Sequence, residues 1–272
     1  MRDILVLAQT SGPWTHATEY AARLAAMLGG SLTGLWCAPP PNAVIAGDVG
    51  AMVAVSVDLP DPELEVAVAA AGQFQRWAAS LGVPHSDWLA CEADTAAAVR
   101  HVGQWHDLLV LGSDQNAPWG GESALAEILV ITRRPCLVVP EFQSRPPRLD
   151  RIAVAWDGST TALRALHAAM PLLQRAGRVI VLDGEKGRDF RLSLPTFDLD
   201  RYWERHDMAV ERVRLTNAVG PIGGALLSEA VAANADLLVM GAFGHTRLRE
   251  WALGGVSRHM LEHSPIPLLM AH

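Results

Sequence analysis

Short, unbroken apolar runs recur along the chain, each bounded by polar or turn-forming residues. Ile4 to Ala8, Leu32 to Trp36, Leu108 to Leu111 and Cys136 to Val139 make one set, and Ile152 to Trp156, Val179 to Leu182, Leu237 to Met240 and Pro267 to Met270 a second. Runs this short, with no polar alternation, read as strands buried on both faces. Between them the period changes. Tyr20, Leu24 and Leu28, and later Leu163, Leu166, Met170 and Leu173, recur at helical spacing. Ser11 and Ser159 precede these stretches in N-cap-like positions, where a hydroxyl accepts an otherwise free N–H. Strands alternating with helices predict an α/β fold of doubly wound parallel sheets. Such sheets take ligands beyond the carboxyl ends of the strands, where strand order reverses.

The two sets of runs are also alike in sequence. Arg2-Asp-Ile-Leu-Val-Leu-Ala-Gln-Thr-Ser11 matches Asp150-Arg-Ile-Ala-Val-Ala-Trp-Asp-Gly-Ser159 at a spacing of 148, and Asp107-Leu-Leu-Val-Leu-Gly112 matches Asp236-Leu-Leu-Val-Met-Gly241 at a spacing of 129. The order is kept while the spacing shrinks, which points to an extra loop in the first half; the Pro- and Gly-rich stretch from Ala38 to Pro60 is the candidate. Two tandem Rossmann-like domains are expected, residues 1–142 and 151–272, joined through Gln143-Ser-Arg-Pro-Pro-Arg148.

Composition narrows the class. Half of the 272 residues are hydrophobic and 19% are charged, enough apolar content for a buried core. A net charge of -7, with the charges interspersed, argues against nucleic acid as a partner. Three cysteines far apart in sequence, Cys37, Cys91 and Cys136, make neither a disulfide framework nor a zinc knuckle and suit a reducing compartment. The N-terminal apolar run is too short for a signal peptide, and no stretch is long and apolar enough for a bilayer. A soluble cytoplasmic protein with no membrane partner is expected.

The stretch GAFGHTRLREWALGGVS, from Gly241 to Ser257, follows the apolar run ADLLVM and has no Gly-Lys-Ser/Thr of a P-loop. Together with DRIAVAWDGSTTALRAL and the tail HSPIPLLMAH it resembles a universal stress protein domain, and the glycines fit that family's G-x2-G-x9-G-[S/T] nucleotide signature at Gly241, Gly244 and Gly254. The first half is similar in ILVLAQTS, DLLVLGS and RRPCLVV. The resemblance implies a tandem universal stress protein that binds ATP, or ADP or AMP, in its C-terminal half. It carries the contacts to Asp157, Gly241, Gly244, Gly254, Gly255, Val256 and Ser257, and more loosely to Ala155, Asp183 and Met240; it says nothing of an accompanying magnesium ion. The chemistry is consistent with this. A carboxylate at Asp157 can accept from a ribose hydroxyl or an adenine amine. Gly241 and Gly244 let backbone approach a sugar or phosphate and permit positive φ. Gly254-Gly-Val-Ser257 opens a helix whose free N–H groups favour phosphate. The family's Ser/Thr after the third glycine is Gly255 here, so one hydroxyl donor is missing.

In the first half Gln9 stands for Asp157, and GSDQNAPWGGES lacks the second glycine while Asp114 and Glu122 bring negative charge. That half is expected not to bind ATP in this mode. His259-Met-Leu-Glu-His263 matches H-x-x-E-H, but a helix with solvent-facing histidines accounts for it better than zinc chemistry. His245, Arg247 and Arg249 suit either phosphate contact or a solvated face, and the nine tryptophans, Trp156 and Trp251 among them, either a base platform or burial. No catalytic base, Walker lysine or acidic metal cluster is evident, so the expectation is a protein that acts in stress adaptation by binding, with at most slow ATP hydrolysis. A nucleotide-independent interaction module and a nucleotide hydrolase remain as alternatives. The terminal strands of the two halves are expected to pair into an intrachain pseudo-dimer, with a further homodimer open.

Overall fold

The structure, a computed structural model, describes residues 1–38, 44–46, 53–55, 62–113, 122–142, 145–184, 198–215, 222–242 and 255–272. The first half runs β1 (Asp3–Leu7), α1 (His16–Leu28), β2 (Ser31–Ala38), β3 (Val44–Ala46), β4 (Val53–Val55), α2 (Pro62–Ala69), α3 (Ala71–Ser80), β5 (His85–Glu92), α4 (Thr95–Gly103), β6 (Leu108–Gly112), α5 (Glu122–Thr132) and β7 (Cys136–Val139). The second runs β8 (Arg151–Trp156), α6 (Thr160–Leu173), β9 (Arg178–Asp183), α7 (Leu199–Arg205), β10 (Val210–Arg214), α8 (Ile222–Ala232), β11 (Leu237–Gly241), α9 (Gly255–His263) and β12 (Leu268–Ala271).

Ten strands form one sheet in the order β10-β9-β8-β11-β12-β7-β6-β1-β2-β5. Read outward from the middle, each half repeats the same five-strand parallel order, with its first strand flanked by its second and fourth. The halves meet where β12 and β7 pair antiparallel, Leu268 opposite Val138 and Met270 opposite Cys136. The terminal strands therefore do join the two halves, and neither is left as an open edge. A hydrogen bond from Arg175 Nη1 at the end of α6 to the carbonyl of Met27 in α1 ties the halves again on one face.

Side-chain alternation along the strands explains the layering. Ile4, Val6, Ile152 and Val154 share one core with residues of α1, α3, α6 and α7. Leu5, Leu7 and Ala153 share the other with residues of α4, α5, α8 and α9. Each core runs through both halves, so the sheet is covered front and back as the unbroken apolar runs predict.

The repeated aspartate before the fourth strand has a structural task. Asp107 Oδ2 accepts the Arg2 N–H at 2.6 Å and the Asp3 N–H at 3.3 Å, and Asp236 Oδ2 accepts the Arg151 N–H at 2.9 Å. Their own N–H groups donate to the carbonyls of Asp3 and Arg151, both at 2.8 Å. Each aspartate thus pins the start of its half's first strand. The segment between β2 and α2, the expected extra loop, carries the antiparallel ribbon β3–β4. Several tryptophans are explained by burial: Trp14, Trp77 and Trp88 pack with Phe74 at centroid separations of 4.9 to 5.7 Å, and Trp36 and Trp203 are buried.

Candidate functional site

Strand order reverses in the second half where β8 lies between β9 and β11. There the chain leaves β8 through Asp157 and Gly158 and turns directly into α6. Asp157 is exposed, and its Oδ1 accepts the Ser159 N–H at 2.9 Å. Ser159 is the helix cap, its Oγ accepting the Ala162 N–H at 3.1 Å. A carboxylate thus stands at the sheet's carboxyl edge, oriented through one oxygen by the turn it belongs to. Ser159 is occupied in capping and hydrogen-bonds Thr161 at 3.1 Å; no histidine or carboxylate partner activates it among the described residues.

Beside it β11 ends at Gly241. A β-carbon there would lie 2.6 Å from the Ala162 nitrogen and 2.7 Å from the Thr161 carbonyl carbon. The missing side chain is therefore what lets the first turn of α6 rest on the strand end. Gly241 does not have the positive φ that the sequence reading allowed it. Close packing, not unusual backbone geometry, requires glycine here. Ala155 and Met240 sit one residue past the last pair that joins β8 and β11, Val154 with Val239; Met240 is buried and Ala155 half-buried.

Asp183 ends β9 beside Trp156. It is buried, and its Oδ2 accepts from Arg212 Nε at 2.9 Å, while Arg212 also reaches Asp200 at 3.0 Å. It is first of all a member of an ion-pair chain beneath α7. Trp156 Nε1 is buried with no hydrogen-bond partner. Of the two readings the sequence offers for Trp156, base platform or burial, the structure shows its indole nitrogen buried and its ring packed against the core.

Helix α9 opens at Gly255. It follows β11 and returns to β12, which runs parallel to β11, so its first turn lies at the carboxyl ends of the strands. Among the described residues, a β-carbon on Gly255 would meet nothing within 4 Å. Val256 is half-buried and Ser257 buried. Gly244, Gly254, His245, Arg247, Arg249 and Trp251 lie outside the described residues. His259 and His263 stack on one another at 4.4 Å, with His263 Nδ1 3.0 Å from the His259 carbonyl.

These elements occupy a segment that matches a known family. Residues 148–272 match the family model of the universal stress protein family. The C-terminal half of the chain belongs to the universal stress protein family. A universal stress protein of Synechocystis is 29% identical over 139 residues, which is 50% of this chain and 46% of that relative, so the chain spans about half the length of the curated relative it matches. A universal stress protein from Archaeoglobus fulgidus has a similar crystal structure, with a TM-score of 0.64 at 17% identity over 98% of this chain and 95% of that one. A functionally unknown protein from Pseudomonas aeruginosa gives 0.64 at 14% over 100% and 92%. The cytoplasmic domain of a prokaryotic cation chloride cotransporter gives 0.51 at 14% over 99% and 95%. At such identities the similarity is one of fold.

Within the universal stress protein segment, Asp157, Gly241 and the start of α9 gather at the reversal point, while Asp183 is turned into an ion pair. At the corresponding edge of the first half, Gln9 and Trp36 replace Asp157 and Asp183. Gln9 Nε2 is buried without a partner, and Gly112 is under less pressure, its β-carbon position 3.3 Å from the Ala17 side chain. Asp114 lies outside the described residues, and Glu122 is the first residue of α5. Among the described residues no helix is long and apolar enough to cross a membrane, and no three His, Cys, Asp or Glu side chains group as metal ligands.

Proposed function

We propose that the chain is a tandem universal stress protein, with domains at residues 1–142 and 151–272, that holds one adenine nucleotide at the carboxyl edge of the second. The observation that carries this is the exposed Asp157 carboxylate at the strand-order reversal, oriented by its own turn and flanked by the Gly241 strand end. The residues suit such a ligand chemically. Asp157 would accept from ribose or adenine, and the N–H groups of Gly255, Val256 and Ser257 at the helix start would face phosphate. The open space at Gly255 is compatible with phosphate lying close to backbone. ATP is the nucleotide of first choice from the family resemblance, with ADP or AMP as variants.

Occupancy of this site would signal state rather than drive turnover, since the described residues assemble no nucleophile with an adjacent base. The nucleotide-independent interaction module is the second reading; the engagement of Asp183 by Arg212 favours it by removing one polar group from ligand duty. Calorimetric titration of the intact chain with ATP separates them. One nucleotide per chain, weakened in Asp157→Ala, is the expected result. Two per chain would refute the loss of the first site, and no heat together with no nucleotide released from the purified protein would refute the proposal.

A further inference from the structure

We propose that Cys37 and Cys91 are a peroxide-responsive thiol pair that closes reversibly into a disulfide at the carboxyl edge of the N-terminal half. The two are far apart in sequence, yet they are register partners on neighbouring strands β2 and β5. Their Sγ atoms are 3.7 Å apart. Register partners project to the same face of the sheet, and adjacent strands run roughly 4.8 Å apart, within the range of about 4.4–6.8 Å between α-carbons that a disulfide spans. Closing the bond needs side-chain rotation rather than strand movement.

The pair belongs to the first half alone. The positions that correspond in the second half, one past the pairing of Asp183 with Arg214, are Gly184 and Leu215. The third thiol, Cys136, is fully buried, and its near neighbours are Thr132 Oγ1 at 3.6 Å and the Arg134 carbonyl at 3.3 Å.

Exposure sets the order of events. Cys91 is partly exposed and Cys37 is buried, so oxidant meets Cys91 first. Burial, and next to it the neighbouring Cys91, pushes the Cys37 thiol well up, so it stays protonated until its partner has reacted. The Cys91 thiolate attacks one oxygen of hydrogen peroxide; the O–O bond breaks, the sulfur is oxidised to a sulfenic acid, and the displaced hydroxide takes up the thiol's proton to leave as water. Cys37 sulfur then attacks Cys91 sulfur, giving up its proton as the S–O bond breaks and a second water leaves. Two thiols and one peroxide yield one disulfide and two waters, and a dithiol reductant reverses it. Disulfides of this kind in a reducing compartment are transient and sensory. The product would staple the edge strand β5 to its neighbour.

The test treats the intact, folded chain with hydrogen peroxide, blocks remaining thiols with iodoacetamide in denaturant, and maps non-reduced peptides by mass spectrometry. Two of the three cysteines are expected to escape alkylation as one Cys37–Cys91 cross-linked peptide, with Cys136 alkylated and dithiothreitol restoring all three. In Cys37→Ser, Cys91 should accumulate as a sulfenic acid trapped by dimedone, and Cys91→Ser should give no intrachain cross-link. Three alkylated thiols, over-oxidation of Cys91 without cross-linking, or cross-links only between chains would each overturn the proposal. The wild-type map decides it even where a variant fails to fold.

Discussion

Gly255→Ser tests the site by adding back what the sequence leaves out. The family signature has a hydroxyl residue after its third glycine, and Gly255 stands there. Among the described residues a β-carbon at Gly255 meets no atom within 4 Å, and φ is not in the positive region that penalises side chains. At the exposed first position of α9 the exchange should alter stability by only a few tenths of a kcal/mol, and in the favourable direction, because glycine is the poorer helix residue. A new neutral hydrogen bond to phosphate contributes about 0.5–1.5 kcal/mol, which corresponds to roughly a 2- to 13-fold tighter dissociation constant. Calorimetric titration of wild type, Gly255→Ser and Gly255→Ala with ATP reads it out. Alanine supplies the same β-carbon and more helix propensity without the hydroxyl, so its affinity should match wild type. Equal tightening by serine and alanine would assign the effect to helix stiffening. Unchanged or weaker binding by serine, in a protein whose wild type binds ATP, would place phosphate away from Gly255 and refute the assignment.

Three further outcomes follow from the geometry. Gly241→Ala drives a β-carbon to 2.6 Å from the α6 backbone and should cost about 1–3 kcal/mol of stability, whereas Gly112→Ala, at 3.3 Å from a side chain, should be much milder; paired thermal melts compare them. Asp107 accepts the Arg2 N–H, which lowers its pKa more than burial raises it, with the Asp3 N–H and the amino terminus adding to the lowering. A folded pKa below the unfolded value means its stabilisation is present above about pH 4 and fades as pH falls through the lowered folded value. Asp107→Asn should therefore flatten the acid limb of a stability-versus-pH curve measured by urea unfolding. Leu269→Ala empties a fully buried position on β12 opposite Leu137 of β7 and should cost about 2–5 kcal/mol; because both cores cross the β7–β12 seam, unfolding should stay a single shifted transition rather than split.

The strands legible in the sequence were those covered on both faces. Every unbroken apolar run became a central strand, since only doubly buried strands need such runs. Besides the small ribbon β3–β4, the two strands that escaped, β5 with HSDWLACE and β10 with VERVR, are the outer edges of the ten-stranded sheet, where solvent takes one side and polar residues are tolerated. The same logic governs the site. Asp157 and Gly241 were found because they follow recognisable strand ends. What escaped depends on lateral pairing, which a linear pattern does not carry: Asp183 with Arg212 across β9 and β10, and Cys37 with Cys91 across β2 and β5. In each case the missed partner lies on an edge strand.

The internal repeat separates scaffold from chemistry in a way neither half could alone. Where the two halves agree, the residues hold the sheet together: Asp107 and Asp236 pin the first strands by the same pair of hydrogen bonds, and matching core positions fill both faces. Among the positions where they disagree, several lie at the carboxyl ends of the strands. Asp157 faces Gln9, Asp183 faces Trp36, and Gly184 and Leu215 face the two cysteines. The two carboxyl edges differ in chemistry: one carries an exposed carboxylate beside a helix start, the other a thiol pair with the carboxylates of Glu92 and Asp94 on the same edge. The N-terminal edge is therefore expected to lack a nucleotide site of the same kind. Exchanging Gln9→Asp and Trp36→Asp together should then fail to create a second nucleotide site by calorimetry, because Cys37 and Cys91 occupy the places of Gly184 and Leu215.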